Sequence, residues 1–211
     1  MDTVENILAA IDPSKPVLLV DADEVLLRFV ERLEKHILNQ GFELRLTSFR
    51  LAGNIYHHDS NTVASPEQVK SLISSFFEEC VDDVAPVPDA AEGLIKLSEY
   101  YQITVLSNVP KKHRERRATN LAAHGIDYPV IANKGDKGPI VKLFNEVTNK
   151  HTVFVDDLPP QHSSVAEHCP NSHKVHFVAD KRLAAMIGKA PHADVRIDCW
   201  RKLTSHLQDM L

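Results

Sequence analysis

Asp21 and Asp23 close the stretch Val17-Leu18-Leu19-Val20-Asp21-Ala22-Asp23-Glu24-Val25. Carboxylates are seldom set against an apolar run unless they are paired, protonated or bound to a metal. The arrangement recurs downstream. Ser107-Asn108 follows Ile103-Thr104-Val105-Leu106, and Asp156-Asp157 follows Thr152-Val153-Phe154-Val155. Between them lies a glycine-rich lysine loop, Lys134-Gly135-Asp136-Lys137-Gly138-Pro139, after Val130-Ile131-Ala132. Acids, a hydroxyl and lysines at the ends of successive apolar runs are the material of a site that holds an anion and a cation side by side.

The runs that carry these residues are short, rich in β-branched residues and bounded by punctuation, as buried strands are. Further strands are expected at Lys174 to Val178 and, at an edge, Asp194 to Ile197. A short helix is expected over residues 3 to 11, stopped by Asp12-Pro13. Leu26, Phe29, Val30, Leu33, Ile37 and Leu38 recur at helical spacing up to Gly41. Residues 42–64 show no period. A helix restarts at Ser65-Pro66-Glu67, with serine as cap and proline in the first turn, and runs to about Cys80. Ala90 to Tyr100 reads as a helix with Ala91, Leu94, Ile95 and Leu97 inward. Helices are also expected over Lys112 to His124, Ile140 to Val147, Ser163 to His168 and Trp200 to Met210. Strands alternating with helices imply a parallel sheet with helices on both faces and right-handed crossovers. In such sheets the carboxyl ends of the strands form one ligand-binding rim. Residues 1–26 and 85–211 then form the α/β core, with 27–84 a helical insertion.

The 211 residues carry a net charge of −5, which argues against a general nucleic-acid-binding protein. There is no apolar run long enough to span a bilayer, and Met1-Asp2-Thr3-Val4-Glu5 lacks the order of a signal peptide. Three well-separated cysteines, Cys80, Cys169 and Cys199, fit a reducing cytoplasm. No HExxH or CxxC supports zinc, and His57-His58 and His173-x-x-His176 read as packing or surface residues.

Taken together and in order, the four strand-end elements resemble the motifs of the haloacid dehalogenase (HAD) superfamily. Asp21-Ala22-Asp23-Glu24-Val25 is similar to its Asp-x-Asp-x-Thr/Val, Ser107 to its second-motif Ser or Thr, Lys137 to its lysine before a helix, and Asp156-Asp157 to its acidic pair. The resemblance implies a Rossmann-like core under a small helical cap of the first type. It implies a Mg²⁺-dependent phosphatase that cleaves a small phosphomonoester through an aspartyl-phosphate. Asp21 is then the nucleophile and Asp23 the general acid and base. Asp21, Asp156 and the backbone carbonyl of Asp23 hold Mg²⁺, with Asp157 a ligand through water or a structural partner. Ser107 and Asn108 donate to the phosphoryl group. Lys137, with Lys134 as the alternative, neutralises charge. Asp23 favours phosphate esters, because the superfamily's dehalogenases do not need that second acid.

The irregular part of the insertion, with Arg50, Asn54, Tyr56, His57 and His58, supplies candidate substrate contacts, Arg50 and His57 first among them. The run Lys111-Lys112-His113-Arg114-Glu115-Arg116-Arg117 reads as a solvated helix face or as a lure for anions. The expected partner is a small phosphorylated metabolite, not a nucleic-acid polymer or a membrane. Val25, Leu26 and Phe29 after the first motif resemble 5′-nucleotidase-type members, which makes nucleoside monophosphates an alternative substrate. Glu24 stands where the superfamily commonly has glycine, and it keeps open a second alternative: a phosphate-binding protein of this fold with weak turnover.

Overall fold

The computed structural model describes residues 4–211; the expected helix start at Thr3 and the residues before it lie outside them. Six parallel strands form the central sheet, in the order β5-β4-β1-β6-β7-β8. They are β1 (Val17–Val20), β4 (Gln102–Ser107), β5 (Val130–Ala132), β6 (Thr152–Asp156), β7 (His173–His176) and β8 (Val195–Arg196). The chain leaves β1, adds β4 and β5 on one side, then crosses to build β6, β7 and β8 on the other. This reversal opens a crevice at the carboxyl end of β1 and its neighbours, where open α/β sheets bind ligands. The register is fixed by Val20, which pairs with Val105 on one flank and Val155 on the other.

Alternation along the strands divides the core in two. Leu18, Val20, Val105 and Val155 face one side, with α4 (Ala90–Ser98) and α9 (Trp200–Gln208) packed over it. Val17, Leu19, Leu106 and Phe154 face the other, under α1 (Val4–Ala9), α6 (Gly138–Val147) and α7 (Pro159–His168). The central strands are buried on both faces, so they read as continuous apolar runs.

Between β1 and α4 the chain forms α2 (Phe29–Leu38), α3 (Pro66–Cys80) and, in residues 42–64, an antiparallel hairpin of β2 (Phe42–Leu44) and β3 (Ile55–His57). These short strands are half-buried and carry no clear alternation, which is why no period shows in the sequence. Asn54 holds the loop between them: its side chain accepts from Thr47 and donates to the carbonyls of Ser48 and Arg50. The start of α3 is as expected, with Ser65 and Gln68 forming a reciprocal capping box. Three expectations change. Ile95 is 56% exposed, not inward. The helix after β1 begins at Phe29, because Ala22 to Leu27 form a tight turn in which the Leu26 and Leu27 N–H groups both donate to the Ala22 carbonyl. The basic segment starts with a 3₁₀ turn (Lys111–His113) before α5 (Arg114–Ala123), and a short α8 (Lys181–Ala184) follows β7. Among the described residues no helix is long and apolar enough to cross a membrane.

Candidate active site

The strand register brings the acids together. Asp21 continues β1, its N–H donating to the Val155 carbonyl, and so lies beside Asp156 at the end of β6. One carboxylate oxygen each from Asp21, Asp156 and Asp157 lies within 4.8 Å of the others, and all three residues are buried. Lys137 stands between two of them, its Nζ 2.7 Å from Asp21 Oδ1 and 2.7 Å from Asp156 Oδ2. Lys134 is exposed on the loop above, so of the two candidate lysines the fold inserts Lys137.

Lys137 is placed by contact between α6 and α7. Its backbone N–H donates to Gln161 Oε1, and the next N–H, of Gly138, donates to Ser164 Oγ. A Cβ on Gly138 would lie 2.3 Å from the Ser164 carbonyl oxygen, so only glycine permits this approach. Burial alone would lower the lysine's proton affinity, but Asp156 and Asp21 hold its pKa above the usual range. Burial pushes the Asp21 carboxyl up to about 6, against the pull of Lys137. Burial, with repulsion from Asp156 and Asp21, drives the Asp157 carboxyl well above its ordinary value. No hydrogen bond or ion pair satisfies the Asp157 carboxylate among the described residues, whereas Asp156 also accepts from the Leu158 N–H. Two buried histidines brace the acidic loop: His162 contacts the Asp156 carbonyl and His176 the Asp157 carbonyl, each through Nε2. Burial lowers both to about 4, so they stay neutral at pH 7. This cluster of acids around one cation fits a hard divalent ion, which prefers oxygen ligands and relieves carboxylate repulsion.

Asp23 points elsewhere. Its Oδ1 accepts from Arg117 Nη2 at 2.9 Å; Arg117 is 0% exposed, and Asp23 keeps 22% of its side chain open. Burial raises the Asp23 carboxyl, and the guanidinium opposes this. Nε and Nη1 of Arg117 have no partner among the described residues. The expected solvated face of α5 thus hides one member of the site. Lys112 and Arg116 of the same run pair with Glu78 and Asp82, fastening the end of α3 to α5. The signal for Arg117 was its spacing from His113, Asn120 and Leu121, which form the buried stripe of this segment.

Glu24 takes the left-handed conformation, φ 60°, where glycine would be unstrained. Its buried carboxylate accepts from the Val30 N–H at 2.7 Å and the Asp180 N–H at 2.8 Å. It therefore caps α2, which Arg28 does not cap, and ties that helix to the loop after β7. Burial pushes it up to about 7.

A cavity of about 290 Å³ opens over these groups. Asp21, Asp23, Lys137 and Asp157 form its floor, with Asn108 and Arg50 at its sides. Asn108 donates to the Gly135 carbonyl and accepts from Asn133, joining the β4 end to the lysine loop. Ser107 reaches the same rim but is fully buried, its Oγ accepting the Val109 N–H, and it does not line the cavity. His57 is not brought there either. It packs on Phe42 and contacts Gln68, because hairpin pairing turns it away. Asn54 and Tyr56 are likewise spent within the hairpin, Tyr56 under the Arg45 guanidinium.

No family model matches the chain, and no curated protein matches it. Solved structures do. A HAD family hydrolase from Deinococcus radiodurans R1, with bound phosphate and sodium, aligns over 94% of this chain and 97% of its own at 12% identity and TM-score 0.61. CbbY from Rhodobacter sphaeroides, in complex with xylulose-(1,5)bisphosphate, aligns over 90% and 96% at 13% identity and TM-score 0.57. L-2-haloacid dehalogenase from Xanthobacter autotrophicus, with chloropropionic acid covalently bound, aligns over 94% and 100% at 13% identity and TM-score 0.56. The chain has the fold of the HAD hydrolases, an α/β core with a parallel sheet flanked by helices.

Proposed function

We propose that this protein is a Mg²⁺-dependent phosphatase acting on a small phosphorylated metabolite. The observation that carries the reading is the placement of Lys137 between Asp21 and Asp156, with Asp157 beside them, on the floor of a cavity that Asp23 also lines. A dehalogenase of this fold needs no acid at position 23, so Asp23 supports phosphate esters over carbon–halogen bonds.

In this reading Asp21 attacks phosphorus and the bond to the leaving oxygen breaks. That oxygen takes the proton held by Asp23, whose carboxyl burial raises. Water then attacks the phosphoryl group on Asp21 and gives its proton to Asp23, releasing phosphate and restoring the Asp21 carboxylate. Lys137 offsets charge on Asp21 throughout. Asp21, Asp156 and the Asp23 carbonyl would hold Mg²⁺, with Asp157 alongside, and the ion would supply positive charge against the phosphoryl group. Asn108 donates to the phosphoryl oxygens, and Ser107, whose O–H donates to no described residue, joins it after a small shift of the β4 end. Residues 27–84 act as a cap that excludes water. Glu24 does not argue for an inactive protein, because its carboxylate is committed to two backbone donors.

Hydrolysis of p-nitrophenyl phosphate with and without Mg²⁺ tests the reading. Turnover should require the metal and vanish in Asp21→Asn, with the far-ultraviolet circular dichroism unchanged. Turnover indifferent to both removes it.

A further inference from the structure

The phosphoryl end of the cavity is highly charged, but the rest of its wall is not. Phe29, Phe49 and Phe77 contribute rings, joined by Val30, Leu51 and Leu158. Phe29 and Phe77 are themselves stacked, with centroids 6.1 Å apart and planes inclined at 29°. Apart from Asn108, which faces the phosphoryl end, Arg50 is the one lining side chain above the floor with hydrogen-bond donors to offer, since both Glu24 oxygens are already taken by backbone N–H groups. Arg50 is exposed and pairs with no carboxylate among the described residues, so its guanidinium is available to lie on a ring face.

Resting on the phosphatase reading, we infer that the leaving group is an aromatic alcohol or a compact aromatic group on a short alkyl linker, not a polyol. A sugar in this cavity would set its hydroxyls against phenylalanine and leucine. Each hydroxyl stripped of water without a new partner costs about tenfold or more in binding. An aromatic group loses nothing of that kind. It gains contact with three rings, worth roughly tenfold for a well-placed pair. The cavity's 290 Å³ takes one or two rings, not a long chain.

The test compares esters of primary alcohols, so that leaving-group reactivity is similar: benzyl phosphate, hexyl phosphate and glucose 6-phosphate with the Mg²⁺-loaded protein. The expected kcat/KM is highest for benzyl phosphate, by about a hundredfold over glucose 6-phosphate and about tenfold over hexyl phosphate. Calorimetry with benzylphosphonate and methylphosphonate reads binding without turnover, and benzylphosphonate should bind about tenfold or more tightly. Phe49→Asn and, separately, Leu158→Asn should raise KM for benzyl phosphate more than they lower kcat. Glucose 6-phosphate equal to or better than benzyl phosphate, equal binding of the two phosphonates, or no KM change in both variants overturns the inference. Hexyl phosphate matching benzyl phosphate overturns its aromatic part. Failure of every ester, of p-nitrophenyl phosphate and of both phosphonates instead removes the phosphatase reading beneath it.

Discussion

Asp23→Asn should destabilise the protein more than Arg117→Met, although both remove one member of the same pair. Arg117 is fully buried, and its one side-chain hydrogen bond among the described residues, 2.9 Å long, goes to Asp23 Oδ1. Taking away the carboxylate strands a cation out of water. Breaking a buried pair from one side costs about 3–5 kcal/mol. Taking away the guanidinium also removes two nitrogens, Nε and Nη1, that have no partner among the described residues, and it leaves a carboxylate 22% exposed that water reaches. That change should cost about 1–2 kcal/mol. The double variant contains no buried charge here and should resemble Arg117→Met. The three differences together give a coupling of about 3–5 kcal/mol, the whole cost of Asp23→Asn. Urea denaturation of all four proteins in metal-free buffer, with m held common, measures it. An Asp23→Asn protein as stable as the parent, or a double variant equal to the sum of the singles, refutes the account of a charge that depends on its counter-ion.

Glu24→Gln isolates one pH effect: burial raises the Glu24 carboxyl from 4.5 to about 7, so the native state binds this proton more tightly than the unfolded chain. The stability it lends is complete below about pH 4.5 and lost as pH rises through about 7, so parent-minus-variant stability should fall by about 3 kcal/mol between pH 4 and pH 8. A flat difference in urea titrations contradicts this. Mg²⁺ at a hundred times its dissociation constant should stabilise the native protein by about 2.7 kcal/mol, and Asp156→Asn should lose most of that gain in thermal melts; an equal gain in both proteins places the ion elsewhere. Gly138→Ala, whose methyl meets the Ser164 carbonyl, should cost about 1–3 kcal/mol and lower kcat by displacing Lys137. Gly188→Ala, with nothing within 4 Å, serves as the matched control and should change stability by less than about 0.5 kcal/mol.

The sheet was legible because its strands are buried on both faces. Val17 to Val20 and Thr152 to Val155 have no solvated side to interrupt them, so burial writes itself as an unbroken apolar run. The acids stood out for the converse reason, as polar residues where burial should exclude them. Strand ends are local, and once the topology is parallel their convergence follows. What stayed hidden depends on which neighbour a side chain meets. Arg117 lies in a run of seven residues of which five are Lys or Arg, and only packing of α5 against the turn after β1 separates it from Arg116, which meets Asp82 outside. His57 looked available because a three-residue strand gives too short a pattern to show which way it faces. Glu24 looked like an intruder at a glycine position. Its value lies in two backbone donors, one of them 156 residues away.

The charges around the cavity show why such an acidic cluster survives in a folded chain. Asp23 has Arg117, and Asp21 and Asp156 share Lys137. Glu24 is satisfied by dipoles. Four carboxylates, of Asp21, Asp23, Asp156 and Asp157, therefore face two side-chain cations, and the excess of two negative charges falls on the cluster of Asp21, Asp156 and Asp157. Burial makes that excess costly, as the raised Asp21 and Asp157 carboxyls record. Two protons or one divalent cation remove it, but the outcomes differ for chemistry. Protons abolish the nucleophile on Asp21, while a cation leaves it ionised and adds positive charge where a phosphoryl group would arrive. Two further basic side chains would balance the cluster as well and leave no place for the ion. The imbalance is thus the feature that makes the site responsive to a metal: Asp21 and Asp156 sharing one lysine supply one of the two charges, and Asp157, without a side-chain partner among the described residues, supplies the other.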